Sequence, residues 1–213
     1  MLNRASQVIR SRRGRPAHAE LKGGRDTREA ILNAGEDLFQ RRGYNAFAYQ
    51  HIAVQLGIRN AAIHYHFPGK IDLGVALIQR YRQRFRDWAE SVNRSLPPWE
   101  RLMAHFQTYT DYLEAQCQVC PAGVLAAEFE ALPEEMRQEA RLYMREIFEW
   151  LIETLEEGRS CGQLSFPGEA RSKAVQIGAA LQGALLIARI AGPDRFHQVR
   201  VQLGLELTPP VLT

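Results

Sequence analysis

Residues 48–73, AYQHIAVQLGIRNAAIHYHFPGKIDL, constrain the fold more than any other stretch of the chain. Ile52, Ala53 and Leu56 fall at i, i+1 and i+4, which gives a short helix one apolar face. Gly57 follows at once, where a helix stop favours the residue that adopts positive φ most cheaply. Ile58 is placed to plug the core, and Asn60 to cap a second helix over residues 60–67 through its side-chain oxygen. That helix buries Ile63 and Phe67 and ends at Pro68-Gly69. It leaves Arg59, Asn60, Ala61, His64, Tyr65 and His66 outside. A two-turn helix with two alanines, no carboxylate and several hydrogen-bonding rings fits the major groove of DNA.

The rest of the chain reads as helix throughout. Asp26 is a candidate N-cap for a first helix with the stripe Ala30, Ile31, Ala34, Leu38 and Phe39, closed by Gly43. After Gly69-Lys70 a long helix carries Ile71, Val75, Ile78, Tyr81, Phe85 and Trp88 to about Leu96, before Pro97-Pro98. A fifth helix spans about 99–116, a sixth about 122–132, and a seventh runs from Pro133 to about Glu157. The eighth, about 168–191, is apolar around most of its circumference and so expected to be buried on several sides. Its small residues Gly178, Ala179, Ala180, Gly183 and Ala184 permit close helix approach. A ninth covers about 194–205. The expected fold class is all-α with about nine helices. The expected organisation is a basic arm (1–25), a helix-turn-helix head (26–70) and a helical bundle for ligand binding and dimerisation (71–213).

Composition narrows the partners. The net charge of the 213 residues is only +3, but it is unevenly spread. Residues 1–25 gather arginines and Lys22 against a single acid, Glu20, whereas residues 128–157 are rich in glutamate. A basic front and an acidic rear imply that only the front meets nucleic acid. No uninterrupted run of 18 apolar residues is present, no secretory leader is evident, and there are three cysteines, an odd number. These features point away from membrane insertion and a disulfide framework, and towards a reducing cytoplasm.

The segment IHYHFPGKIDL, with Ile52-Ala53 and Gly57 before it, closely resembles the signature of TetR-family transcriptional regulators. The matching positions are Ile63-His64, Tyr65-His66-Phe67, Pro68, Gly69 and Lys70, and the likeness is strong from about Thr27 to Leu77. The resemblance implies phosphate contacts by Tyr49, His64, Tyr65, His66 and Lys70, with Gln50, Arg59 and Asn60 placed to read bases. Ala61 shares that surface. Arginine can bond guanine, and glutamine or asparagine adenine, in bidentate fashion. Lysine near a helix N-terminus opposes the dipole, so an external anion is implied. His64 departs from the family's usual tyrosine; a charged histidine would strengthen a phosphate contact, so binding should weaken as pH rises. Ordinary packing of the rings against the preceding helix is the alternative.

In the arm, Arg12-Arg13-Gly14-Arg15-Pro16 resembles the core of a minor-groove hook, although a generic basic tail explains it better. Cys117 and Cys120 have the spacing of a metal or redox pair. Zinc would need two more ligands, with only His105 near in sequence, and a thioredoxin site would need a preceding strand. Neither a metal nor any other cofactor is expected. The segment CPAGVLAAEFEALPEEMR resembles that of NemR-related regulators, which respond to electrophiles. The resemblance implies a sensing role for Cys120, whose thiolate a helix dipole would favour; a buried small hydrophobe is the plainer reading. Cys161 is expected to be incidental.

By the same family resemblance an effector pocket lies within helices four to eight. Trp88, Phe106, Tyr109, Tyr112, Tyr143, Phe148 and Trp150 would supply its walls, unless they are plain core. No Ser-His-Asp set, phosphate-cradling glycine loop or paired metal spacing supports an enzyme. The expectation is a homodimeric repressor of a palindromic operator, paired through helices eight and nine and released by a small molecule. A helical adaptor without specific DNA binding is the alternative.

Overall fold

The computed structural model describes residues 24–115 and 120–209. Within them are nine α-helices and one short 3-10 turn, with no strand among the described residues. The helices are α1 (Gly24–Arg42), α2 (Tyr49–Leu56), α3 (Asn60–His66), α4 (Lys70–Ser95), α5 (Pro98–Glu114), α6 (Pro121–Glu128), α7 (Glu134–Ser160), α8 (Ala170–Ala191) and α9 (Asp194–Leu207). The 3-10 turn, Phe129–Ala131, follows α6 directly.

Contacts divide the chain into two compact units, and not at residue 70. One holds the described residues up to 83 together with 121–143; the other holds 84–120 and 144 onward. Both α4 and α7 pass through the two units. The unit with the helix-turn-helix therefore also contains α6 and the start of α7.

In this first unit α1 buries Ile31, Leu32, Leu38 and Phe39, and α2 and α3 bury Ile52 and Ile63. Gly57 adopts φ 66 and ψ 30, and the Ile58 N–H reaches the Ala53 carbonyl at 3.1 Å. This is the left-handed stop that the sequence implied. Asn60 does not cap α3: the N-cap is Arg59, in extended backbone, and Asn60 is the first helical residue. Pro68 disfavours helical backbone at the residue before it, so α3 ends at His66 and Phe67 turns extended, 2 % exposed. The start of α4 is fixed by Asp72, which accepts the Gly69 N–H at 2.7 Å.

Arg80 ties α4 to α1, lying 3.6 Å from both Glu29 and Glu36 and bonding Asn33. Arg82 and Gln79 tie it to Glu139 of α7. At Gly74 a Cβ would sit 2.4 Å from Met136 Sδ, so these two helices touch backbone to side chain.

In the second unit α8 packs its inner face, Ala174, Ile177, Leu181 and Leu185, against α5 and α9. The expectation of burial on several sides fails for the single chain. Val175, Leu186, Ile187 and Ile190 stand exposed, as do Val201 and Leu205 of α9. The small-residue stripe is divided too. A Cβ at Gly178 would lie 3.1 Å from the Phe148 ring and Ala184 is buried, whereas Ala179 is exposed and Gly183 faces open space. By length and composition alone α8 could also cross a membrane.

Gly57 is constrained by conformation rather than space, since nothing lies within 4 Å of a Cβ built there. Gly57→Ala should therefore cost about 1–2 kcal/mol of stability, the penalty of left-handed backbone for an L-residue. Urea unfolding of the two proteins measures this, and an unchanged midpoint would contradict the account.

Candidate nucleic-acid interface

The exposed face of α2 and α3 is assembled from residues whose neighbours hold them by different means. Gln50, Arg59, Asn60, Ala61, His64 and Tyr65 are exposed and His66 is half-buried. Tyr65 is 83 % exposed and meets His66 edge-on at 5.0 Å. Arg59 immediately precedes the first turn of α3, and Asn60 lies within that turn. No Asp or Glu occurs from residue 48 to 71, so this face carries no charge that would repel phosphate.

Two residues expected on this face belong to its support instead. Tyr49 is buried, and its hydroxyl lies 2.8 Å from the Phe67 carbonyl and 2.6 Å from that of Gly69. Its single proton is donated inward. Burial, followed by the charge of Asp72, raises its pKa and keeps the phenol protonated. Tyr49 therefore fastens α2 to the junction of α3 and α4 rather than offering itself to phosphate. Lys70 is half-buried, its Nζ resting 4.4 Å from the Tyr44 ring centre and 4.9 Å from that of Phe47. Burial lowers its pKa, and the charge of Glu128 opposes that. To reach a phosphate, Lys70 would have to leave this aromatic seat. Sequence periodicity could not reveal either inward turn, because both contacts are made with distant loops.

Histidines carry more of the chemistry than the sequence reading gave them. His51, which that reading missed, accepts the Ala48 N–H through Nδ1 at 3.0 Å. Its position three residues after the helix boundary was the available signal. Accepting at Nδ1 places the ring proton of the neutral form on Nε2. His64 is the reverse. Its Nδ1 lies 3.0 Å from the Pro68 carbonyl, which can only accept, so Nδ1 carries the proton. Its ring also packs edge-on to Tyr49 at 4.9 Å.

The residues expected to sense a ligand are not gathered in one place. Trp88, Tyr109 and Trp150 surround His105 in the second unit, with centroid distances of 5.9, 5.4 and 5.4 Å. Phe106 is fully buried in that unit. Tyr143 belongs to the other unit, where it stacks on Tyr81 at 6.4 Å. Trp150 Nε1 donates to Asn93 at 3.0 Å. Burial pushes the pKa of His105 down to about 4, so the ring is neutral. Cys120 is buried immediately before α6 and is in no disulfide; Cys161 is exposed. Cys117 and the Arg12–Pro16 segment lie outside the described residues. Among the described residues no group of three or more His, Cys, Asp or Glu could hold a metal.

A small three-helix head with a carboxylate-free second helix of a helix-turn-helix defines a DNA-binding regulator. Residues 31–77 match the family model of bacterial regulatory proteins, tetR family, and residues 98–202 match the tetracyclin repressor-like C-terminal domain. A TetR-family transcriptional regulator from Agrobacterium tumefaciens has the same fold, with a TM-score of 0.83 and 32 % identity over 87 % of this chain and all of that one. A TetR regulator from Legionella pneumophila gives 0.78 and 31 %, over 85 % of this chain and 97 % of that one. The HTH-type transcriptional repressor NemR of Escherichia coli is 29 % identical over 175 residues, 78 % of this chain and 85 % of NemR. The chain belongs to the TetR family, and it is a regulator rather than an enzyme.

One pH effect follows from these rings, and it acts on stability through His105. Its folded pKa lies below the unfolded value, so its contribution is fully present above pH 6.5 and is lost as pH falls towards 4. Roughly 3 kcal/mol is at stake over that window. Urea midpoints at pH 7 and pH 4.5 should converge in His105→Phe relative to the parent.

Proposed function

We propose that the chain is a homodimeric repressor whose two heads read a near-palindromic operator and whose bundle answers a small effector. The observation that carries this reading is the exposed, carboxylate-free face of α3, with Arg59, Asn60, Ala61, His64 and Tyr65 outside and Ile63 buried. In it Arg59 bonds guanine, Gln50 or Asn60 bonds adenine, and the Ala61 methyl meets a thymine methyl. His64, Tyr65 and His66 contact phosphates. Tyr49 positions the face and Lys70 stays on its rings unless the backbone phosphate draws it out.

Pairing is proposed through the outer faces of α8 and α9. Val175, Leu186, Ile187, Ile190, Val201 and Leu205 form apolar faces that a second copy would cover, giving a four-helix interface. The dimer then sets two α3 helices about 34–36 Å apart, one turn of DNA. NemR and several other relatives are named as repressors, which supports repression as the sense of control. The protein acts in the cytoplasm, where its DNA lies.

For the effector, the cluster of Trp88, Tyr109, Trp150 and neutral His105, with Phe106 nearby in the chain, favours a largely apolar ligand with one hydrogen-bonding group. Direct attack on Cys120 has less support. The start of α6 favours a thiolate there, but only 5 % of the residue is exposed to a reagent.

A salt titration against DNA from beside the protein's own gene tests the reading. One short palindrome should be protected, with affinity falling steeply as salt rises. Arg59→Ala should weaken it about 10- to 100-fold at the cognate site, in line with one lost bidentate base contact. Ile190→Glu should yield monomers that no longer hold the palindrome. A monomeric parent, or binding indifferent to salt and sequence, would favour the adaptor instead.

A further inference from the structure

The end of α6 meets the DNA-reading head at one carboxylate. Glu128, the last residue of α6, accepts the Tyr44 N–H in the loop between α1 and α2, at 2.7 Å through Oε2. The loop is shaped to receive it. Gly43 has φ 80, and a Cβ there would lie 2.0 Å from Glu128 Oε1 and 2.7 Å from Cδ. The carboxylate therefore rests on bare backbone, and glycine is required by both conformation and space. The same charge acts on Lys70, whose ammonium is half-buried over Tyr44 and Phe47.

Three pieces of the head thus converge on Glu128: the loop that launches α2, the aromatic pair in that loop, and the first residue of α4. Beyond Lys70 lies Gly69, whose carbonyl anchors Tyr49 and with it α2. At its other end α6 begins with Pro121, directly after Cys120, the residue singled out for sensing. The helix is eight residues, about 12 Å, and behaves as one short rod. A displacement at Pro121 must move Glu128, or the helix must break.

We infer that Glu128 is a positioning residue for operator binding: it touches no DNA, and it couples the placement of α6 to the alignment of α2 and α3. This rests on the repressor reading for its purpose, though not for its mechanics. Coupling of this kind is reciprocal, so operator binding must be felt in α6 as strongly as α6 is felt at the operator.

Hydrogen exchange by mass spectrometry on the full chain, with and without operator duplex, tests it. In the parent, operator should slow exchange both in the 43–48 loop and in residues 121–128. In Glu128→Ala, free of DNA, the loop should exchange about tenfold faster, and operator should bind about tenfold more weakly, the loss expected of one charge-assisted bond. Its α6 amides should no longer respond to operator. Glu128→Gln keeps an oxygen acceptor without the charge, and should restore the loop protection while recovering only part of the operator affinity. An α6 response in Glu128→Ala equal to that of the parent, or unchanged loop exchange in its DNA-free form, overturns the inference. Failure of the parent to bind any operator overturns the repressor reading, and the DNA-free comparison still decides the role of Glu128.

Discussion

The head depends on a buried hydroxyl. Tyr49 Oη sits between the carbonyls of Phe67 and Gly69, where the chain leaves α3 and turns into α4. The Phe67 carbonyl lies just past the end of α3, where helical donors run out, whereas that of Gly69 also receives the Leu73 N–H of α4 at 3.4 Å. The single phenol proton is shared between the two and ties α2 to that corner. Ile52 and Ile63, each fully buried, then close the space beneath. Of the outer residues of α3, His64 still bonds Pro68 and packs on Tyr49, whereas Asn60, Ala61 and Tyr65 stand exposed. Pro68 and Gly69 belong to the same arrangement, one ending α3 and the other offering the carbonyl.

Much of this was legible in the sequence. The Gly57 stop, the burial of Ile63 and Phe67 and the termini of most helices followed from apolar spacing and from glycine and proline. Those signals are local, and local backbone physics decides them. What escaped the reading was longer in range. Nothing near residue 44 announces that its amide will be met by Glu128, 84 residues on. Periodicity assigns a side chain to a face but does not say what the face will meet. Tyr49 and Lys70 therefore turned inward unannounced, and Tyr143 joined Tyr81 rather than the Trp88–Trp150 cluster. Asn60 missed its cap for a smaller reason: α3 begins one residue earlier than its side chain suggested.

The apolar helix α8 shows the same limit differently. Its sequence is hydrophobic nearly all round, which implied burial on several sides. Within one chain only the inner half is covered by α5 and α9, while Ile190 is 92 % exposed. Hydrophobic surface of that extent on adjacent helices is unusual for an isolated soluble chain. Composition reports how apolar a helix is, whereas the folded chain shows which part of it is satisfied internally. Gly178 and Ala184 are small where Phe148 and the bundle interior approach α8.

The two histidines at the edge of the head are fixed in opposite neutral tautomers. Accepting from the Ala48 amide at Nδ1 leaves the His51 ring with its proton on Nε2, a donor. Donating to the Pro68 carbonyl from Nδ1 leaves the His64 ring with a lone pair on Nε2, an acceptor. One residue type therefore supplies both halves of a hydrogen-bonding vocabulary along a single rim, and the backbone group each ring meets decides which half it speaks.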